Sequence, residues 1–174
     1  MLYLFTLKSL NVDRVYKILL IFLLFLSSCT PTTYYIVRHA EKQTSTPMAA
    51  DILLTKEGEE RALALRDSLK DKGIKHIYST VTTRTKATAR PLSEATGVSI
   101  ETYEAKDTTF VTYVKSRGKG NVLIVGHSNT VDDIVNGLTG RKLLSDLPET
   151  QYGDLFIVTR RGKNYFFSQS HFGK

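Results

Sequence analysis

Two arginines and two histidines stand directly after predicted strands in distant parts of the chain. Arg38 and His39 follow the strand-forming residues 34–37 in the stretch YYIVRHAEK. Arg84 lies just beyond the second strand, IKHIYS, and His127 follows the fourth, VLIVG. Because the carboxyl ends of parallel strands meet at one edge of a sheet, we expect these four side chains to converge.

Such a set of side chains suits a phosphoryl group. An arginine fork matches phosphate oxygens bidentately, and two arginines can hold the group from different sides. A neutral imidazole can attack phosphorus, and positive neighbours lower a histidine pKa enough to keep it neutral. The guanidinium groups supply the positive charge, and no cluster with metal-ligand spacing is visible in the sequence. The prediction is therefore phosphoryl chemistry with no metal and no cofactor.

The elements that must position these residues alternate between strands and helices. Thr55 is a plausible N-cap for a helix whose Ala62, Leu65 and Leu69 recur on one face, and Gly73 suits its end. Further helices are predicted at residues 86–96, with Pro91 near the start, and at residues 108–116 and 129–138. A third strand is predicted at residues 98–103.

The strand NVLIVG and the tail define the predicted sheet. Residues 122–125 are all apolar, as in a strand that is covered on both faces. The tail, DLFIVTRRGKNYFFSQS, is typical of two strands joined by a hairpin at residues 161–164. The sequence thus predicts an α/β fold of three layers, α/β/α, with a mostly parallel sheet and an antiparallel edge.

The first 33 residues differ from the rest of the chain in their pattern of charged and apolar residues. Lys8, Arg14 and Lys17 precede nine apolar residues, and the run ends at LSSC, which contains the single cysteine, Cys29. Nine residues are too few to span a bilayer but suit a secretory signal. The stretch resembles a bacterial lipoprotein signal, in which the cysteine is lipidated; an ordinary signal peptide or a short buried helix is the alternative.

This pattern predicts three parts of the chain and its location. Residues 1–28 are the expected signal peptide, residues 29–33 the lipidated cysteine with a short linker, and residues 34–174 the domain. The protein would then be exported and anchored in a membrane by lipid. Removal of residues 1–28 changes the formal net charge from +7 to +5. That modest excess suits an anionic substrate or a lipid surface, and without a basic stripe it does not predict nucleic-acid binding.

Four segments in order carry a family resemblance. VRHAE, LLTKEGEERALAL, YSTVTTRTKATARPL and VLIVGHSNT resemble the successive motifs of the histidine phosphatase superfamily, the phosphoglycerate mutase-like proteins, and especially its small phosphohistidine-phosphatase-like members. The resemblance covers about residues 34–139. It implies a metal-independent phosphatase that acts on a small phosphorylated substrate or a phosphoprotein.

The resemblance also implies roles for single residues. His39 would be the nucleophile that becomes phosphohistidine, Arg38 and Arg84 would hold the phosphate, and His127 would stabilise the transition state. Ser128 would add a hydrogen bond to the substrate. One departure is Ala40, which stands where the family most often has glycine and is tolerable if the backbone there avoids positive φ.

A general acid must protonate the leaving alkoxide, and its identity stays open. The family usually places this carboxylate between the arginine motif and the second histidine. Asp107 is the first choice because VSIETYEAKD leads from a strand to the same edge, and Glu104 is the second. Asp132 and Asp133, one helical turn beyond His127, are a third option.

Other functions fit parts of the sequence. GHSNT resembles the G-x-S-x-G turn of serine hydrolases, and Ser128, Asp154 and His171 occur in the order such enzymes use, although Thr130 replaces the second glycine. A lipoprotein that binds phosphate ligands with weak catalysis is a second alternative, and the short chain disfavours a mutase. For the phosphatase interpretation, the segments expected to recognise substrate are residues 43–51, 104–109 and 141–152.

Overall fold

The computed structural model describes residues 31–44, 52–117 and 119–173. The predictions for residues 1–28 and for Cys29, and those for residues 45–51, lie outside this part of the chain. No helix among the described residues is long and apolar enough to cross a membrane.

Six strands and four helices alternate along these described residues. The strands are β1 Thr32–Arg38, β2 Ile74–Thr80, β3 Ile100–Tyr103, β4 Asn121–Gly126, β5 Asp154–Arg161 and β6 Asn164–His171. The helices are α1 Lys56–Leu69, α2 Thr83–Thr96, α3 Phe110–Ser116 and α4 Val131–Thr139.

The strands form one mixed sheet in the order β3-β2-β4-β1-β5-β6. β1 pairs in parallel with β4, which pairs in parallel with β2, and β2 pairs in parallel with β3. β5 is antiparallel to β1, and β6 is antiparallel to β5. The predicted mostly parallel sheet with an antiparallel edge is confirmed.

Helices cover both faces of the sheet because side chains alternate along each buried strand. On β1, Tyr34 and Ile36 belong to a core cluster that includes residues of α3 and α4. Tyr35 and Val37 belong to a second cluster, which includes residues of α1 and α2. The three-layer arrangement follows from this alternation, and it leaves the strand ends to form the site.

Helix α1 begins where the sequence predicted. The side chain of Thr55 accepts a hydrogen bond of 3.1 Å from the Gly58 backbone N–H, and Ala62, Leu65 and Leu69 are buried. A Cβ atom at Gly58 would collide with the backbone oxygen of Glu41. Glycine at this position therefore lets the segment after β1 pack directly against the first turn of the helix.

Helix α2 differs from the prediction in a way that matters for the site. It begins at Thr83 rather than residue 86, so Arg84 lies in its first turn and Pro91 lies inside the helix. The prediction placed the start three residues too late, with Pro91 near it. Buried Thr88, Ala89 and Leu92 pack this helix on the sheet despite the missing proline N–H.

Candidate active site

Arg38, His39, Arg84 and His127 meet at the carboxyl ends of β1, β2 and β4. The rings of His39 and His127 lie 5.5 Å apart between centroids. Arg84 Nη2 lies 3.4 Å from His127 Nδ1, and the charges of both arginines act on both histidines. We call these four residues the histidine–arginine cluster; its convergence is the arrangement that the strand pattern predicted.

His39 is held in one orientation and kept neutral. Its side chain is buried, and Nδ1 lies 2.8 Å from the Ala40 carbonyl oxygen. A carbonyl only accepts, so Nδ1 carries the proton and Nε2 keeps its lone pair. Burial lowers the pKa of His39 to about 3, with the charges of Arg38 and Arg84 adding to the effect. The ring therefore has an unprotonated Nε2 at neutral pH, as a nucleophile requires.

His127 is oriented from both sides of its ring. Burial, together with Arg84 and Arg38, lowers its pKa to about 4. Because the Arg84 guanidinium only donates, Nδ1 of the neutral ring accepts. Nε2 then donates to Thr80 Oγ1 at 2.9 Å, and Thr80 donates in turn to Thr85 Oγ1 at 2.9 Å. These contacts fix the second histidine next to the first.

The two guanidinium groups are positioned differently. Arg38 is 4% exposed, and its Nη1 donates to the carbonyl oxygens of Pro148 at 2.8 Å, Glu149 at 3.1 Å and Gln151 at 3.2 Å. Arg84 is half-buried, and desolvation followed by the charge of Arg38 lowers its pKa. Two arginines close enough to repel one another mark a site suited to an anion.

Each arginine also carries a buried donor without a protein partner. The Nε atoms of Arg38 and Arg84 are fully buried and make no hydrogen bond within the described residues. Buried donors are normally satisfied, and an unpaired one requires an explanation. A ligand with several acceptor oxygens would provide partners for such donors.

The turn after β1 is built on a threonine of α2. Thr88 Oγ1 accepts from the Ala40 backbone N–H at 3.0 Å and donates to the Arg84 carbonyl at 2.8 Å. Ala40 is 1% exposed, and no non-glycine residue in the described chain has positive φ. The backbone therefore tolerates alanine where the family most often has glycine.

Glu41 and Lys42 have separate partners. Glu41 forms an ion pair of 2.6 Å with Arg61 of α1, which fastens the strand end to that helix. Lys42 Nζ lies 3.7 Å from a carboxylate oxygen of Glu149. Only the lysine of this pair therefore faces the charged groups around Arg38.

Among the described residues, no hydrogen bond or ion pair joins the predicted acids to the histidine–arginine cluster. The Asp107 carboxylate accepts from Thr109 N at 2.8 Å and Thr109 Oγ1 at 2.6 Å, which lowers its pKa. Glu104 is exposed. Asp107 nevertheless lines a cleft of about 460 Å³ that extends to Thr130, whose hydroxyl holds the His127 backbone N–H at 2.8 Å.

The third option for the acid lies on α4. Asp132 is buried, its Oδ1 has no partner among the described residues, and desolvation raises its pKa. Asp133 is exposed and lines the same cleft as Asp107. Neither carboxylate forms a hydrogen bond or ion pair with the cluster in the described chain, so both remain expectations from the sequence.

The three residues of the serine-hydrolase alternative make two separate contacts, one between Asp154 and His171 and one between Ser128 and Glu149. Asp154 and His171 approach at 3.7 Å, but Ser128 Oγ donates to Glu149 Oε1 at 2.7 Å. No hydrogen bond joins Ser128 to His171 in the described chain. Among the described residues, the Ser128 hydroxyl thus has an acidic partner and no basic one.

Two residues near Arg38 carried no signal in the sequence. Glu149 Oε2 lies 2.9 Å from Arg38 Nη2. The Tyr152 ring centroid is 4.4 Å from Arg38 Cζ and 6.2 Å from the His39 ring. Both lie within residues 141–152, which the sequence marked as a recognition segment without distinguishing single positions.

No group of three or more potential metal ligands of the His, Cys, Asp or Glu type occurs within the described residues.

Residues 34–107 match the model of the histidine phosphatase superfamily, branch 1. The matched part contains Arg38, His39 and Arg84 and ends before His127. The match covers less than half of the chain, and over these residues the chain is similar to that superfamily. A comparison with curated proteins gives no match.

Solved structures share the fold over nearly their whole length. The protein histidine phosphatase SixA, solved with tungstate, has a TM-score of 0.66 at 16% identity, with 80% of this chain and 96% of that chain covered. A phosphoserine phosphatase from Entamoeba histolytica, in complex with 3-phosphoglyceric acid, has a TM-score of 0.64 at 14% identity, covering 82% and 98%.

A phosphoglycerate mutase shares the same fold. The enzyme from Bacillus anthracis has a TM-score of 0.60 at 16% identity, with 82% of this chain and 94% of that chain covered. The phosphoglycerate mutase-like fold predicted from the sequence is thus confirmed. Since phosphatases and a mutase both have this fold, the activity must be argued from the site.

Proposed function

We propose that this protein is a metal-independent phosphatase that hydrolyses a phosphomonoester, or phosphate on protein histidine, through a phosphohistidine at His39. The observation that carries the proposal is the unprotonated Nε2 of buried His39, surrounded by Arg38, Arg84 and His127. A nucleophile within a ring of positive charge is the combination that attack on a phosphate dianion needs.

The proposed reaction has two steps. His39 Nε2 attacks phosphorus, the bond from phosphorus to the ester oxygen breaks, and the leaving oxygen takes a proton from a general acid. Water then attacks the phosphohistidine and gives a proton to the group that acted as the acid, the P–N bond to His39 breaks, and inorganic phosphate leaves. Asp107 remains the first candidate for the acid and Glu104 the second.

Arg38 and Arg84 hold the phosphoryl oxygens in this proposal, while His127 and Ser128 provide further contacts. Arg38 is fixed by three backbone carbonyls and so enters the reaction without a large loss of side-chain entropy. The tungstate in SixA is a tetrahedral oxyanion bound by a protein of the same fold, which supports an oxyanion site here.

Hydrolysis of 4-nitrophenyl phosphate in excess chelator tests the activity. We expect turnover that releases inorganic phosphate, because none of the proposed steps uses a metal ion. Transfer of the phosphoryl group to an added phosphoglycerate instead of water would indicate a mutase. Phosphate binding without turnover would favour a ligand-binding lipoprotein.

We also propose that the protein is exported and anchored through lipid on Cys29. The support is the charged leader, the nine apolar residues and the position of the single cysteine. Metabolic labelling with radioactive palmitate tests this. Label should enter the wild-type protein and be absent from Cys29→Ser, and label retained in that variant would contradict the proposal.

A further inference from the structure

The Glu149 carboxylate contacts Arg38 and Ser128, two of the residues that we propose bind phosphate. Its Oε2 lies 2.9 Å from Arg38 Nη2, and its Oε1 accepts a hydrogen bond of 2.7 Å from Ser128 Oγ. Lys42 Nζ lies 3.7 Å from the same Oε2. A carboxylate and a phosphate present similar oxygens to an arginine fork, so the two groups compete for one position.

The two sides of this ion pair differ in burial. The Glu149 side chain is 67% exposed, whereas the Arg38 side chain is 3% exposed. An exposed carboxylate can leave its partner for water at little cost, because water replaces the lost contacts. Arg38 stays in place through its bonds to the carbonyls of Pro148 and Gln151. Displacement of the carboxylate therefore leaves the guanidinium ready for a phosphate group.

Glu149 cannot move far from the site when it is displaced. Its own backbone carbonyl accepts a hydrogen bond of 3.1 Å from Arg38 Nη1, which tethers the residue beside the cluster. The hydrogen bond from Ser128, with the charges of Arg38 and Lys42, lowers the pKa of Glu149, so the group is an anion at neutral pH. A fixed negative charge thus remains next to any bound phosphate.

We propose that Glu149 is a specificity-determining residue, a role that rests on the phosphatase function proposed above. Its carboxylate competes with phosphate for Arg38 and Ser128 and, once displaced, repels ligands that carry further negative charge. The site therefore selects phosphomonoesters whose leaving group is neutral or cationic. Esters with a carboxylate or a second phosphate near the phosphoryl group bind poorly.

Glu149→Gln tests the competition because it keeps the size of the side chain and removes its charge. Glu94→Gln is the control: it removes the same charge from an exposed position near the far end of α2. Titration calorimetry of the full chain with inorganic phosphate measures the effect. We expect a Kd about three- to tenfold lower in Glu149→Gln and a change of less than about twofold in Glu94→Gln, since distant exposed charges are screened.

Three phosphonates that cannot be hydrolysed test the charge selection. Phenylphosphonate, 4-carboxyphenylphosphonate and 4-(aminomethyl)phenylphosphonate share one shape at the phosphoryl end and differ in charge. We expect Glu149→Gln to tighten the binding of the carboxylated ligand most and that of the cationic ligand least. Equal changes for all three would overturn the charge selection. Phosphate binding that is unchanged or weaker in Glu149→Gln would overturn the competition.

These binding measurements do not depend on turnover. A protein that hydrolyses neither a phosphomonoester nor phosphohistidine, but binds phosphate more tightly as Glu149→Gln, would contradict the proposed phosphatase function and support the competition at Arg38. If turnover is present, Glu149→Gln should lower KM for aryl phosphates with little change in kcat. A fall in kcat at unchanged KM would instead show that Glu149 takes part in the chemistry, against the proposal.

Discussion

Arg38 and His39 are 4% and 3% exposed, whereas Asp107 and Glu149 lie at the surface. The cluster side chains are fixed by backbone carbonyls and threonine hydroxyls. Around them lies the rim, by which we mean residues 104–109 and 148–151, whose charged side chains are mostly solvated. In the proposed mechanism, the attack on phosphorus takes place at the buried strand ends, while the choice of leaving group depends on exposed segments.

We expect substitutions in the histidine–arginine cluster to lower activity more than substitutions in the rim. Arg84→Ala removes one donor to the developing charge on the phosphoryl oxygens, and we expect kcat/KM to fall by about 10²- to 10³-fold. Steady-state hydrolysis of 4-nitrophenyl phosphate measures this. Arg90→Ala, an exposed change on the same helix, is the control and should stay near wild type. Equal losses in the two variants would show that the effect comes from the helix rather than from the site.

Burial of the cluster should make stability depend on pH. His39 binds a proton in the fold only when the pH falls to about 3, against a reference value of 6.5. The unfolded chain therefore binds more protons between these values, and the free energy of unfolding falls as the pH drops from 6.5 towards 3. Titration of His39 alone should lower the free energy of unfolding by about 2 kcal/mol between pH 7.5 and pH 5.

Urea unfolding at pH 7.5 and pH 5 measures this loss. His39→Gln lacks the titrating group, so its stability should fall by less than that of the wild type over the same interval. A variant that loses as much stability as the wild type would contradict the buried, neutral state of His39.

The hydroxyl network beneath the cluster should contribute to stability. Thr88→Val keeps the shape but removes the oxygen that binds the Ala40 N–H, leaving a buried donor without a partner. We expect the free energy of unfolding to fall by about 1 to 2 kcal/mol. Thr96→Val, which removes a hydroxyl bonded within the same helix at the Leu92 carbonyl, should cost less. A larger loss of stability in Thr96→Val than in Thr88→Val would contradict this role of the Thr88 hydroxyl.

Residues 104–109 of the rim should act only through the leaving group. If Asp107 is the acid, Asp107→Asn should slow hydrolysis of an alkyl phosphate by about 10²-fold, at the low end for a general acid. The effect on 4-nitrophenyl phosphate should be much smaller, because nitrophenolate leaves without a proton. Glu104→Gln is the parallel variant for the second candidate. If neither change distinguishes the two esters, the acid lies elsewhere.

The sequence predicted the cluster better than the rim because the cluster follows from periodic patterns. Strand signals before Arg38 and His127, together with the rule for carboxyl ends of parallel strands, brought these residues together without knowledge of any contact. Thr55 as N-cap and the buried face of α1 were predicted from local chemistry alone. The start of α2 was predicted three residues too late, and Pro91 lies inside the helix because packing outweighs its local preference.

Glu149 and Tyr152 could not be predicted individually. They follow a segment with no helical or strand period, and their positions depend on the three carbonyl bonds that Arg38 makes across more than a hundred residues of chain. Asp107 was chosen by analogy with the family and lies on the cleft beside α4. Exposed segments of this kind are positioned by tertiary contacts, which leave little pattern in the sequence.

Covalent attachment of phosphate to His39 is the central claim, and an acid-stability measurement tests it most directly. The protein is mixed with a ³²P-labelled phosphomonoester and quenched within milliseconds, either in alkali or in acid. Phosphohistidine survives alkali and is lost in acid, so wild type should retain label only after the alkaline quench, and His39→Ala should retain none. Label that survives acid, or that persists in His39→Ala, would contradict the histidine mechanism.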